Sequence, residues 1–191
     1  MFRALRSAYN KAIKAKCARV SDYPFNEYKI TKFNTTTSKR AIAKTDVLKF
    51  KTEVQPIGKQ QYIELSKDIF IFSYLCGGIN FTDIANLTHE NIQSGRLHYI
   101  RQKTGKQIKI GIPQEAMRII EKYSKTGKGY LFPILDSKAH KPALQKQNRI
   151  HKLLGKVNKN LKLLAAQLGV EANVTTYVAR HNKNYIYLNM K

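Results

Sequence analysis

Toward the end of the chain runs Thr175-Thr176-Tyr177-Val178-Ala179-Arg180-His181, and Arg180 is the residue there with the most restrictive chemistry. An arginine set in an apolar Val-Ala stretch must find a partner if it is buried. Its planar guanidinium donates two hydrogen bonds at once, the geometry that grips the nonbridging oxygens of a phosphate. Tyr177, three residues earlier, carries a phenol that can also donate to phosphate but is a poor base near neutrality. Lys103 and Lys106 bracket Thr104-Gly105, and a turn of that kind can carry an ammonium out to an anion. Asn80 and Asp83 stand three residues apart, a spacing that a helix cap alone would also explain.

The composition names the anion's class. The 191 residues hold 35 Lys plus Arg against 12 Asp plus Glu, a formal charge of +23. An imbalance of that size predicts a polyanionic partner, nucleic acid above all. The excess is concentrated: residues 1–45 carry eleven cations against Asp22 and Glu27, and residues 137–191 carry eleven against Glu171. With 42% hydrophobic residues the chain can still build a core. No apolar run reaches the ~18–20 residues of a membrane-spanning helix, and Met1-Phe2-Arg3-Ala4-Leu5-Arg6 lacks the pattern of a secretory leader, so the expectation is a cytoplasmic protein without a membrane partner. Cys17 and Cys76 have no Cys or His at metal-ligand spacing and read as free, buried thiols. Glycine-rich phosphate loops and dinucleotide fingerprints are missing as well, and the expectation is a chain without metal or cofactor.

The elements that must hold these residues follow from periodicity. Apolar positions predict a basic amphipathic helix over 2–17, and a stretch to residue 45 without period reads as a linker. Asp46 would cap a short helix ending near Glu53, and a longer buried helix over 61–76 contains Ile69-Phe70-Ile71-Phe72 and stops at Gly77-Gly78. Asn80 starts a short helix to Leu87, with Asp83 as its capping-box partner, and Thr88 with Glu90 repeats that pattern weakly. Residues 96–102 and 107–112 predict a hairpin whose Ile108, Ile110 and Ile112 face the core. Pro113 opens a helix to about Lys125. A stripe from Leu144 to Leu168 predicts a long helix, with Arg149, Lys152, Lys156, Lys159 and Lys162 on its other faces. The expected class is α+β, mainly helical, with one small antiparallel hairpin or sheet.

This order of motifs, closing on Tyr177-Val178-Ala179-Arg180-His181, resembles the catalytic domain of the tyrosine recombinases, the phage-integrase family, and most of all integrases from mobile elements of Bacteroides-like bacteria. The resemblance runs from residue 45 to about 181. It implies a remnant of the core-binding, SAM-like domain at 1–25, a linker at 26–44, and a catalytic domain at 45–191 that is truncated at its C-terminus.

The resemblance makes Arg180 the second arginine of the family's site and Lys103 the general acid that protonates the leaving 5′ oxygen. Tyr177 stands where many members have histidine, and His181 supports the box. Asp83 matches the acidic residue that orients Arg180 or its neighbours. Asn80 occupies the position of the first arginine, a departure that related integrases tolerate and that removes one cation from the clamp. Tyr185 and Tyr187 lie five and seven residues past Arg180, too close for the helix and turn that present the family's nucleophile, so no nucleophile is assigned. Divergence after His181 suggests an interrupted reading frame.

Double-stranded DNA is the implied partner, with other protomers assembled on it. Lys106, Arg149, Lys152, Lys156 and Lys159, and in the N-terminal part Arg6, Lys39 and Arg40, are the candidate DNA contacts. The implied function is site-specific DNA recombination and integration, catalytically impaired in this chain. The alternative is a non-catalytic nucleic-acid-binding protein, either a regulator at recombination sites or a basic RNA-binding protein. Among the hairpin residues only Tyr99 offers an aromatic ring on which single-stranded bases could stack.

Overall fold

The computed structural model describes residues 2–28, 42–52 and 62–181, with Arg180 and His181 described by their backbone alone. The chain divides into two compact units, Met1–Ser38 and Lys39–Lys191.

In the first unit α1 (Phe2–Lys14) ends before Lys16, whose φ of 58° cannot continue a right-handed helix. Tyr9 donates to the Asp22 carbonyl at 2.8 Å and stacks edge-on against Tyr23, folding the following turn back on the helix. Cys17 is exposed, not buried as its neighbours in sequence suggested, because it falls in that turn past the end of the helix.

The second unit is built around α3 (Ile63–Leu75), nine of whose 13 residues are buried. A helix apolar on all sides must be covered on all sides. α2 (Lys44–Thr52), α5 (Gln114–Tyr123), α6 (Ala143–Gln167) and α7 (Val178–His181) all pack against it. Phe70 meets Phe50 of α2 at 5.1 Å between ring centroids, and Phe72 meets Phe132 at 5.0 Å. Each fully buried phenylalanine contributes roughly 1.5–3 kcal/mol. Asn160 of α6 donates to Ser66 Oγ at 3.1 Å, satisfying two polar groups at the α3–α6 contact. Asp46 lies inside the first turn of α2, not at its cap, and pairs with Lys49. Leu144 is 67% exposed, since the first turn of α6 projects past the core that its later stripe covers.

Gly77 and Gly78 take φ values of 71° and 77° after α3 and turn the chain into α4 (Phe81–Ala85). Then follow β1 (Ile92–Gln93), β2 (Arg96–Ile100) and β3 (Gln107–Gly111), an antiparallel sheet in that order, with Leu97 opposite Ile110 and Tyr99 opposite Ile108. Ser94 and Gly95, both at positive φ, make the tight β1–β2 turn. Leu97 is the fully buried residue of the sheet. Ile108 and Ile110 are only half-buried and border a cleft, so the face expected to be core is partly open. Among the described residues no helix is long and apolar enough to cross a membrane.

Candidate nucleic-acid interface

Asn80 caps α4, accepting a hydrogen bond from the Thr82 amide at 3.2 Å. Asp83 does not complete a capping box. Its carboxylate reaches across to the hairpin, where Oδ1 accepts from the Gln102 amide at 2.9 Å. The five-residue helix thereby gains a tertiary anchor. Asn91, not Glu90, partners Thr88, and it also donates to the His98 carbonyl at 2.8 Å, tying the same loop to β2.

Between the end of α3, the start of α4 and the β2–β3 pair lies a cleft of about 240 Å³. Asn80 and Asp83 form one wall; Tyr99, Arg101, Lys109 and Ile110 are on the other. Asp83 is buried, and burial pushes its carboxyl above the ordinary carboxylate value, against the opposing pull of the Gln102 amide and the Arg101 charge. Asn80 also lines a second cleft, about 180 Å³, together with Asn158, Thr176 and Tyr177. Asn158 accepts from the Thr176 amide at 3.0 Å, which docks the segment before α7 onto α6. Asn80 is therefore the shared wall between the hairpin side and the Tyr177 side.

Tyr177 is 53% exposed, while Val178 and Ala179 are buried and fix α7 against α3. The backbones of Arg180 and His181 lie in α7; their side chains are outside the described residues. Lys103 sits exposed at the tip of the β2–β3 turn with Lys106, and it lines neither cleft. That turn is rigidly built: Arg101 accepts at its carbonyl from Thr104 and Gly105 and donates its own amide to Lys106.

On α6, Lys152, Lys156 and Lys159 are exposed. Arg149 is turned inward, donating Nε to the Ile134 carbonyl at 3.1 Å and Nη2 to Tyr62 at 3.2 Å. A further groove of about 460 Å³ runs between α4, Gln102 and the start of α6, lined by Asn86, Lys146, Gln147 and His151. In the first unit Arg6 donates to Tyr23 at 3.1 Å and shares a basic face with Arg3, Lys11 and Lys14. Lys39 and Arg40 lie outside the described residues. No group of three His, Cys, Asp or Glu side chains that could hold a metal occurs among the described residues. Cys76 is inert by burial, its thiol pushed up to about 12.

Arg101 and Asn158 are the cleft residues that sequence reasoning missed. Arg101 had a signal, since it directly precedes the turn that carries Lys103.

No family model and no curated protein matches the chain. Among solved structures, the Tn1549 transposon integrase (residues 82–397), in complex with circular intermediate DNA, superposes with a TM-score of 0.57 at 16% identity, over 99% of this chain and 66% of that one. A crystal structure of XerA recombinase gives a TM-score of 0.48 at 14% identity, over 78% and 50%. The chain thus spans between half and two-thirds of these structures. At this identity the likeness establishes the fold: mainly helical with a small three-stranded antiparallel sheet, as in a recombinase catalytic domain.

Proposed function

We propose that this chain is a DNA-binding protein of the tyrosine recombinase type, derived from site-specific recombination and integration by a mobile element and acting on duplex DNA in the cytoplasm. The observation that carries this reading is Asn80: it is the common wall of two clefts, one bounded by the hairpin and one by the Tyr177 segment that leads into Arg180. Those are the parts that a phosphate clamp must bring together, and they stand on a recombinase fold.

In this reading Arg180 grips a backbone phosphate, Tyr177 donates to it, and Lys103 reaches it from the exposed tip of the hairpin. His181 supports the box. Asp83 keeps the hairpin in place through Gln102. Lys106, Lys152, Lys156 and Lys159 hold the flanking backbone, with Arg6, Lys39 and Arg40 contributing from the N-terminal part; Arg149 acts by bracing α6. Strand cleavage in such an enzyme is a nucleophilic step on phosphorus by a tyrosine, which conserves bond energy in a phosphotyrosyl link. We assign no tyrosine of this chain as that nucleophile, and other protomers on the DNA would supply it.

The test has two arms. Incubation with a nicked suicide duplex should give no covalent adduct with this chain; an adduct lost on Tyr185→Phe or Tyr187→Phe would overturn the impaired-catalyst part. Competition between duplex DNA and single-stranded RNA should favour the duplex, and the reverse preference would sink the recombinase reading. Binding should weaken steeply with salt, with a logarithmic slope of about 0.9 per phosphate neutralised.

A further inference from the structure

We propose that the cleft between α4 and the β2–β3 hairpin is a phosphodiester-binding site and that Arg101 is its principal cation. This rests on the duplex-binding reading above and adds a residue and a place to it.

The cleft is about 240 Å³, large enough for one phosphate group with its ester oxygens, and Asn80, Asp83, Tyr99, Arg101 and Lys109 give it polar walls. The wall formed by α4 is neutral or acidic. Among the described residues, positive charge enters from the strands, through Arg101 and Lys109.

Of these two, Arg101 is the better held. Its amide donates to the Lys106 carbonyl at 2.9 Å, and its carbonyl accepts from Thr104 at 3.2 Å and Gly105 at 2.8 Å. The next residue, Gln102, is pinned by Asp83 at 2.9 Å. The Arg101 backbone is therefore fixed on both sides, and its half-buried side chain leaves a preorganised base. Lys109 is exposed in β3 and carries its charge on a flexible four-carbon stem. A guanidinium also offers a two-pronged fork to phosphate oxygens, where an ammonium is a point charge.

The arrangement gives Asp83 a second consequence. Its negative field, close to Arg101, balances the cleft when empty and leaves a net positive lining, with Lys109, for an incoming anion. Asp83 is thus a positioning residue acting through Gln102 and Arg101.

The experiment measures affinity of the full chain for random-sequence duplex DNA across a salt series, with far-UV circular dichroism to verify folding. Arg101→Gln should weaken binding and reduce the logarithmic salt slope by about 0.9, the contribution of one phosphate contact. Arg101→Met, which keeps the apolar stem, should do the same and serves if the glutamine variant folds poorly. Arg101→Lys should keep the slope while losing affinity, because charge remains and the fork does not. Adding Asn80→Arg to Arg101→Gln places a guanidinium on the opposite wall of the same cleft and should restore the slope. An unchanged slope in both neutral variants would overturn the proposal while leaving duplex binding intact. A reduced slope that Asn80→Arg does not restore would put the Arg101 contact outside the cleft and overturn it equally. If the native chain fails to bind duplex at all, the duplex-binding reading falls first and the site falls with it.

Discussion

Two buried aspartates fifteen residues apart in the chain meet opposite fates. Asp68, on α3, is closed in by side chains of α5: Lys122 Nζ at 2.6 Å and the Tyr123 hydroxyl at 2.8 Å, with Glu64 sharing the same lysine. Asp83, on α4, has one backbone amide at 2.9 Å among the described residues and faces a cleft with Arg101 and Lys109 around it. The first carboxylate is spent on joining two helices. The second accepts one hydrogen bond among the described residues and lies beside two cations, the arrangement expected where a ligand completes the charge balance.

The largest effect that could break this comparison comes from Asp68→Ala. It removes two charge-assisted hydrogen bonds and leaves Tyr123 without a described acceptor, so a loss of about 2–3 kcal/mol is expected. That figure is already discounted because the Lys122 ammonium is 40% exposed and is also held by Glu64. Urea denaturation measures it, and the DNA salt slope of the folded variant should stay as in the native chain. A loss under about 0.5 kcal/mol or a lowered slope would put Asp68 in the wrong category.

How much of this was legible beforehand depends on the distance over which each residue is determined. The Ile69–Phe72 run, the Gly77-Gly78 stop and the Lys103–Lys106 turn are local signals, and the structure has α3, its termination and the hairpin there. β1 escaped because two residues carry no alternation, and its turn depends on Ser94 at a φ of 49°. Asp83 fitted a local cap in sequence, but its partner is 19 residues away. Arg149 looked like one more surface cation on a basic helix; its partners, Ile134 and Tyr62, come from packing that no periodicity encodes. The same holds for the site. The phosphate-type residues were readable as types, whereas the place of Arg101 beside Asp83 depends on how the hairpin packs against α4.

Asp83→Asn sharpens the contrast with a smaller effect. An amide oxygen can still accept from Gln102, so the stability change at neutral pH should lie within about 1 kcal/mol of the native chain. The pH dependence carries the information. Burial raises the folded-state value of this carboxyl above its unfolded one, so the protonated form favours the folded state. That contribution is fully present below the unfolded value, 3.8, and is lost as pH rises through the raised folded value. The stability of the native chain relative to Asp83→Asn should therefore fall between those points and then level off. A relative stability that instead rises with pH would mean that Arg101 and the amide outweigh burial, and that the site is already satisfied without a ligand.

Asp136 supplies the smallest effect and the cleanest control. It pairs with Lys128 at 3.1 Å and accepts from the Lys138 and Ala139 amides at 2.9 and 3.1 Å, all at the surface. The lysine and then the amides hold its carboxyl down at about 2. The sign is thus the reverse of Asp83: its stabilisation is present above the unfolded value, 3.8, and disappears as pH falls through about 2. Carboxyl-carbon NMR titration should place its midpoint below that of Asp83, and Asp136→Asn should alter stability least because solvent screens the pair. If Asp136 and Asp83 titrated together, hydrogen bonding and burial would not be what separates these sites. The contrast between a structural carboxylate and one held ready beside a cleft would then lose its electrostatic basis.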